Sequence, residues 1–405
     1  RSCQSAMRAQ ALLLGLCSVP LALSGVRPAD KEALVQLFRL LGGPEWTQND
    51  GWDADGATDP CNTDTRWRGV GCTDPCDYYR DGPDCAFGRV TSLVLRDNNL
   101  TGSITNWTSV GALKNLTFLD LSLNHISGSL PAEMGEIQMI EVLSLSFNQL
   151  QGQIPTAMGS INNKKAAQLT EITLHRNNLT GTLPTELGLL TDLRMINTAF
   201  NQISGTVPVE FTNMTDLQVL YMNSNRLEGT LPEDVGAITA LRYLNMSTNN
   251  VSGTLPPSIG DLGDLHDLSL MVNRLSGTVP LEVGNIHPLR HLRLQNNLLD
   301  GNLTKFSTLG NLRNLITLDL YENDMFGEVP PSIQNLTSLM YLYVDNTHLK
   351  PLRQKYCGQR IPNNGKYNWR IVREEYVEMT SMVCEDMHDT NFAFNSLQVS
   401  QVYEA

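Results

Sequence analysis

The chain has 405 residues, with 42 Asp or Glu against 29 Lys or Arg, and a formal net charge of −13. Nucleic-acid binding needs clustered Lys and Arg, so this balance argues against a nucleic-acid partner. Length alone gives no domain count here, because a chain built of repeats grows by stacking.

Residues 1–24 have the pattern of a leader with a secretory signal peptide. Met7 and Arg8 form a short basic head before an apolar run at 11–23, and we expect cleavage near Ser24. The run is shorter than the ~20 residues of a membrane span, and no later segment approaches one. We therefore expect a protein that is secreted or on the cell surface, with no membrane span in this sequence.

Six cysteines remain after the signal peptide, four near the start of the mature chain and two near its end: Cys61, Cys72, Cys76, Cys85, Cys357 and Cys384. An even number in an oxidising compartment predicts three disulfides. Six cysteines allow 15 pairings, and pairing of neighbours in sequence is the economical choice. A zinc site at Cys72 and Cys76 is the alternative, which secretion and the lack of a nearby His cluster disfavour.

Residues 25–89 are predicted to cap the N-terminal end of the fold. The stretch DKEALVQLFRLL places apolar residues on one helical face, with Asp30 as the expected N-cap: Leu34, Leu37, Phe38 and Leu41. At the other end, residues 352–405 are predicted to form a C-terminal cap between Cys357 and Cys384, followed by a tail without a clear pattern.

Between the caps, the pattern LxLxxNxLxGxIP recurs through residues 90–351. Its Asn stands at 98, 124, 148, 177, 201, 225, 249, 273, 297 and 323, and an eleventh copy has Thr347 there. We number repeats one to eleven by these positions. A period of 20 to 29 residues with this wording is the leucine-rich repeat signature. We predict an α/β solenoid, a right-handed superhelix with a parallel β-sheet on its concave side, in which each Asn amide binds the backbone of adjacent repeats.

Residues 30–350 resemble the plant-type extracellular leucine-rich repeat family. The cap motif W...C...WRGVGC and the repeat NxLxGxIPxxLGxLxxL carry the resemblance. Members of that family include receptor-like kinase ectodomains and polygalacturonase-inhibiting proteins, so the resemblance implies recognition of a ligand outside the cell. The chain departs from the family in the insertion CTDPCDYYRDGPDC and in the tail from Gln354.

Outward positions of the concave strands are free to carry function, because packing fixes the inward ones. Aromatic and cationic residues gather there in the later repeats, and such residues dominate recognition surfaces. An alternative reason for these residues is that Tyr favours strands. We call the predicted ligand-binding residues the late patch: Tyr221, Tyr243, His291, Arg293, Tyr321, Tyr341 and Tyr343.

Two further features bear on function. A column of threonines follows the turn glycines and would suit ordered water, as in ice-binding solenoids: Thr182, Thr206, Thr230, Thr254 and Thr278. Nine N-glycosylation sequons occur, at Asn99, Asn106, Asn115, Asn178, Asn213, Asn245, Asn250, Asn302 and Asn335. A glycan at Asn245, in the middle of the concave face, would direct a ligand toward repeats nine to eleven.

No catalytic constellation stands out, and we expect no cofactor and no metal. The sequence favours a secreted, glycosylated, non-catalytic protein that binds an extracellular protein, peptide or cell-surface glycan on its concave face. Two alternatives remain open at this point. The chain could be the truncated ectodomain of a receptor-like kinase or receptor-like protein in signalling, or an ice-binding protein that uses the threonine column.

Overall fold

The computed structural model describes residues 25–62, 66–73, 87–161, 169–344, 348–349 and 370–371. The predicted signal peptide lies outside the described residues. So do Cys76, Cys85, Cys357, Cys384 and all of the C-terminal cap and tail except Arg370–Ile371.

The repeats build the predicted solenoid, with one short strand per repeat in a continuous parallel sheet. These concave strands are Val90–Val94, Phe118–Asp120, Val142–Ser144, Glu171–Thr173, Met195–Asn197, Val219–Tyr221, Tyr243–Asn245, Asp267–Ser269, His291–Arg293, Thr317–Asp319 and Tyr341–Tyr343. Val70–Cys72 pairs antiparallel with the first of them, and Arg370–Ile371 pairs parallel with the last. Equivalent residues lie side by side, as Tyr221, Asn245 and Ser269 do, so outward positions form columns across the sheet.

A second series of strands and short 3-10 helices completes each turn. These strands are Thr101–Ser103, His125–Ser129, Gln149–Gly152, Asn178–Leu179, Ser204–Gly205, Arg226–Gly229, Asn250–Gly253, Arg274–Gly277, Leu298–Asn302, Asp324–Gly327 and His348–Leu349. The 3-10 helices are Gly43–Glu45, Thr108–Ala112, Ala132–Glu136, Thr156–Ser160, Thr185–Leu189, Val209–Asn213, Val235–Ala237, Pro257–Asp261, Leu281–Asn285, Leu303–Lys305, Ser307–Asn311 and Pro331–Asn335. Gly25–Val26 and Phe87–Gly88 form a separate parallel pair in the cap.

The inward residues of all turns form one apolar core. The residues at the two L positions of each LxL motif point into it, and Leu268 and Leu270, for example, have no solvent exposure. A single turn cannot cover its own apolar face, so each repeat depends on its neighbours for burial. This dependence explains why the chain repeats the same motif.

The Asn of each motif forms the predicted ladder of backbone hydrogen bonds. Asn225 shows the pattern: its Nδ2 donates to the carbonyls of Thr198, at 2.9 Å, and Met222, at 3.2 Å. Its Oδ1 accepts the Ile203 N–H at 3.0 Å. Since Thr198 and Ile203 belong to the preceding repeat, the side chain ties one turn to the next, as expected from the sequence.

The cap helix spans Pro28–Leu40, and its Leu34, Leu37 and Phe38 are buried as predicted. The prediction that Asp30 caps this helix is wrong, because the helix begins two residues earlier with Arg27 at the N-cap position. Asp30 is 1% exposed, and its Oδ2 accepts the Val90 N–H at 3.1 Å. The carboxylate therefore attaches the cap helix to the first strand of the concave sheet.

Cys61 and Cys72 are joined in a disulfide, with their Cα atoms 5.7 Å apart. This is one of the three neighbour pairings expected from the sequence, and the other two involve cysteines outside the described residues. Since the disulfide uses the Cys72 sulfur, Cys72 is not available as the zinc ligand considered above.

Candidate functional site

The late patch lies on the concave sheet in repeats six, seven, nine, ten and eleven. Tyr243 and Tyr341 are the most open of its aromatic residues, 39% and 40% exposed. The other five residues are half-buried. The sheet holds all seven on one surface, because the strands of repeats six to eleven are consecutive in the sheet and in register.

Repeat eight contributes Asp267, a residue that the sequence reading missed. Nη1 of Arg293 donates to Oδ1 and to Oδ2 of Asp267, in both cases at 3.0 Å. No acidic residue was among the predicted ligand-binding residues, but the register places Asp267 directly beside His291. Aligning the repeats by strand position would have shown this carboxylate one repeat before the predicted cation.

Charges around Asp267 shift the pKa of two late-patch residues. Burial raises the pKa of the Tyr221 hydroxyl above its usual value, and Asp267 and Tyr243 raise it further. Burial lowers the pKa of His291, and Arg293 lowers it further while Asp267 partly opposes both. These effects together favour the neutral form of His291, whose Nδ1 lies 3.1 Å from Thr317 Oγ1.

Aromatic stacking orders both ends of the late patch. The Tyr243 ring stacks on His266, with centroids 6.2 Å apart. Tyr341 stacks on Tyr343, with centroids 6.4 Å apart and planes 9° from parallel. Rings held in this way lose little conformational entropy when they contact a ligand.

The chemistry of this surface suits binding. Its cation Arg293 is neutralised by Asp267, His291 is neutral, and the remaining groups are tyrosines. Within the described ranges, no group of three or more His, Cys, Asp or Glu is arranged to hold a metal ion. The late patch thus offers aromatic area with hydrogen-bonding ends and little net charge.

The predicted glycosylation residues are all described. Asn99, Asn106, Asn178, Asn213, Asn250 and Asn335 are exposed, and Asn115, Asn245 and Asn302 are half-buried. Asn245 lies between Tyr221 and Ser269 on the concave sheet, where its Oδ1 accepts bonds from Ser247. Occupancy of these sequons stays a prediction.

The threonine column is exposed along its whole length. Its methyl groups contact the backbone of the next repeat: a Cβ added at Gly229 would lie 2.6 Å from Cγ2 of Thr206. The serines two residues before the column bind backbone, as in the bond from Ser204 Oγ to the Gly181 carbonyl at 3.2 Å. Packing between repeats therefore accounts for much of this pattern.

Comparison with known proteins gives the relatives of this architecture. The family described as Leucine Rich Repeat matches residues 115–137, 139–161, 168–190, 216–238, 240–262 and 314–336. A probable inactive receptor kinase of Arabidopsis thaliana, RLK902, is 36% identical over 120 residues, which are 30% of this chain and 15% of that protein.

Solved plant receptor ectodomains share both sequence and fold with the chain. The leucine-rich repeat ectodomain of the Arabidopsis thaliana membrane receptor kinase GASSHO1/SCHENGEN3, in complex with CASPARIAN STRIP INTEGRITY FACTOR 2, is 31% identical with a TM-score of 0.71. The match covers 81% of this chain and 37% of that one. The Arabidopsis receptor kinase HAESA, in complex with the peptide hormone IDA and the co-receptor SERK1, is 28% identical with a TM-score of 0.66. That match covers 82% of this chain and 52% of HAESA.

A plant ice-binding protein has the same fold, with a TM-score of 0.57, and the match covers 80% of this chain and 88% of that one. At 22% identity this likeness concerns the fold alone.

In the part of the chain that the structure describes, no helix has the length and apolarity needed to cross a membrane.

Proposed function

The chain belongs to the plant-type extracellular leucine-rich repeat proteins, and from that premise we propose that it binds a peptide or protein ligand on its concave face without catalysis. The observation that carries the proposal is the late patch, a set of aromatic residues aligned on one sheet around the Asp267–Arg293 pair. GASSHO1/SCHENGEN3 and HAESA were each solved with a bound partner, which supports a binding role for this architecture.

Tyrosine gives the late patch its capacity to bind. A Tyr ring supplies a large apolar contact area and a hydroxyl that forms hydrogen bonds, so Tyr is enriched among the residues that dominate binding energy. Tyr243 and Tyr341 expose their rings without being needed in the core. A peptide that crosses the sheet would bury both of them.

An affinity experiment tests this function. Purified residues 25–405 are immobilised and incubated with extracellular extract, beside the variant Tyr243→Ala/Tyr341→Ala. We expect the unaltered chain to retain a peptide or protein that the double variant does not retain. The two chains should have the same circular dichroism spectrum and melting temperature. Equal retention by both chains would contradict the assignment to the late patch.

We propose that the protein acts outside the cell, either secreted or as the ectodomain of a receptor. The signal-peptide pattern and the disulfide between Cys61 and Cys72 support an extracellular location. The chain spans 15% of the receptor kinase RLK902 and 37% of the GASSHO1/SCHENGEN3 ectodomain. Immunoblots of medium and membrane fractions from the native cells distinguish the two forms.

Ice binding is the second candidate, because five threonines form an exposed column on consecutive repeats. Their methyl packing and the bonded serines beside them already account for the pattern. We expect purified protein to show no inhibition of ice recrystallisation. Activity that the outward-facing change Thr230→Tyr abolishes would establish ice binding and overturn this preference.

A further inference from the structure

The residue directly before the Asn of each repeat stands at the edge of the concave sheet, where the chain turns. Its φ lies between 51° and 56° in repeats one to ten. Left-handed backbone favours Asn, Asp and Gly over bulky residues. The occupants are Asp97, Leu123, Phe147, Arg176, Phe200, Ser224, Thr248, Val272, Asn296 and Glu322. The fold therefore does not call for an aromatic ring at this position.

Repeats three to five nevertheless place Phe147, Arg176 and Phe200 there, one beside the next. Backbone bonds of 2.9 Å join consecutive turns, from the Phe147 N–H to the His175 carbonyl and from the Arg176 N–H to the Ala199 carbonyl. Both phenylalanines are exposed, at 40% and 42%. Two exposed phenylalanines on alternate repeats contribute little buried apolar area to the core.

The guanidinium of Arg176 lies between these two rings. Its Cζ is 5.2 Å from the Phe147 centroid and 4.6 Å from the Phe200 centroid. Each contact falls within the distance of a cation–π interaction. The rings flank the guanidinium on two sides and restrict its rotamers. Its N–H donors have no hydrogen-bond partner among the described residues, so they are left to bind an acceptor.

Arg176 lacks a counter-charge among the described residues, although the chain as a whole is acidic. Among the described residues, no carboxylate lies within ion-pair distance of Arg176, in contrast to the Asp267–Arg293 pair. His175 sits edge-on to Phe147 with ring centroids 5.0 Å apart. Burial lowers the pKa of His175, and the charges of Arg176 and Arg96 lower it further. The positive charge at this edge is therefore uncompensated.

We propose that Phe147, Arg176 and Phe200 form a docking site for an extended peptide segment that carries an Asp or Glu side chain between apolar neighbours. A carboxylate is planar and accepts two parallel bonds from a guanidinium, so it fits the uncovered edge of Arg176. The phenylalanines lie ~4.8 Å to either side, one repeat away. In an extended peptide crossing the repeats, the residues two before and two after the acid face the same way at ~7 Å, over the outer faces of the rings.

A polyuronate glycan offers carboxylates as well, but it fits this site less well. Its hydroxyl groups would need hydrogen-bonding partners, and phenylalanine rings have none. The rings instead match apolar side chains. The proposal extends the ligand-binding function above to a second place on the molecule, and it does not depend on the late patch.

A library of random linear peptides displayed on phage tests the proposal directly. Purified residues 25–405 are the target, and the Arg176→Gln variant serves for counter-selection. We expect the selected peptides to share an Asp or Glu flanked by apolar residues. Synthetic copies should bind Arg176→Gln at least about tenfold more weakly, and a copy with Gln or Asn for the acid should lose as much.

Matched variants identify the feature that binds. Arg176→Lys keeps the charge without the planar fork, and Phe147→Leu/Phe200→Leu removes the rings, so both should also weaken binding. Arg274→Gln, an exposed arginine on another surface, should leave it unchanged. All variants keep the sequon at Asn178, two residues beyond Arg176.

The possible outcomes separate this site from the late patch. Selected peptides should bind Tyr243→Ala/Tyr341→Ala with unchanged affinity, whether or not that variant loses its extracellular ligand. A library that yields no Arg176-dependent peptide, or only peptides without a carboxylate, overturns the proposal. Arg176-dependent binding of oligogalacturonate in the absence of such peptides assigns the site to an acidic glycan and overturns it equally.

Discussion

Arg293 and Asp267 form an ion pair across neighbouring strands, and the pair sets the charge of the concave face. Nη1 of Arg293 is 3.0 Å from both carboxylate oxygens, and the two side chains are 28% and 27% exposed. Pairs as exposed as this contribute about 0.2–1 kcal/mol to stability. The main effect of the pair is therefore on the groups that surround it.

Asp267→Asn tests that effect through His291. Burial and the neighbouring Arg293 lower the His291 pKa, whereas Asp267 raises it. Removing the carboxylate should therefore lower the His291 pKa further, which NMR titration of the ring protons measures. An unchanged or raised pKa would show that the Asp267 carboxylate does not favour the charged form of His291 in solution. A double-mutant cycle with Arg293→Gln should give a coupling below about 1 kcal/mol.

Asn225→Ala should destabilise the solenoid by about 1–3 kcal/mol, because it leaves backbone partners of a half-buried amide without a bond. The side chain donates to Thr198 and Met222 and accepts from Ile203. Urea unfolding followed by circular dichroism measures the change. Asn223→Ala, a half-buried Asn two residues earlier, is the control and should cost much less. Equal stability of the two variants would contradict the ladder.

Gly229→Ala should destabilise the fold for two separable reasons. The residue has φ of 76°, where a Cβ is strained by about 1 kcal/mol, and the added Cβ would lie 2.6 Å from Thr206 Cγ2. Thr206→Ser removes that methyl, so Gly229→Ala should cost less stability in the Thr206→Ser background. Gly263→Ala, where nothing lies within 4 Å of the added Cβ, should be nearly neutral. No difference between the backgrounds would show that the threonine methyls do not pack on the glycines.

His175 should make stability fall in mild acid. Its pKa is lowered in the folded state from a reference value of 6.5, by burial and then by Arg176 and Arg96. The unfolded chain therefore binds more protons just below pH 6.5, and stability decreases as the pH falls through that value. Melting temperatures between pH 7.5 and 5.5 should drop less for His175→Gln than for the unaltered chain.

The repeat frame was predictable because it depends on spacing along the chain. In repeats one to ten the LxLxxN motif specifies the inward residues, the turn and the Asn ladder, so one repeat explains the rest. Contacts between neighbouring side chains were not predictable in the same way. Asp30 binds Val90, 60 residues away, and Arg176 meets Phe147 across an insertion that lengthens its repeat to 29 residues. Such pairs depend on register between turns, which a reading of each motif alone does not supply.

The late patch yields the most direct functional prediction. Tyr243 and Tyr341 expose their rings on the concave face, and each stacks on a neighbouring ring that holds it in place. Truncating a residue that anchors an interface to Ala costs about 2 kcal/mol or more of binding free energy, which corresponds to about 30-fold weaker binding. We expect each single change, Tyr243→Ala or Tyr341→Ala, to weaken binding of the captured ligand by at least about that factor. The melting temperature should barely change.

Val94→Ala is the matched control for this measurement. Val94 stands on the same concave sheet in repeat one, and it is 43% exposed, which is comparable to the two tyrosines. It lies outside the late patch, so its truncation should leave affinity intact. Titration calorimetry or surface plasmon resonance with the purified ligand gives the dissociation constants of the variants Tyr243→Ala, Tyr341→Ala and Val94→Ala. If Val94→Ala weakens binding as much as Tyr243→Ala while both proteins stay folded, or if neither tyrosine change weakens it, the assignment of the binding site to the late patch is wrong.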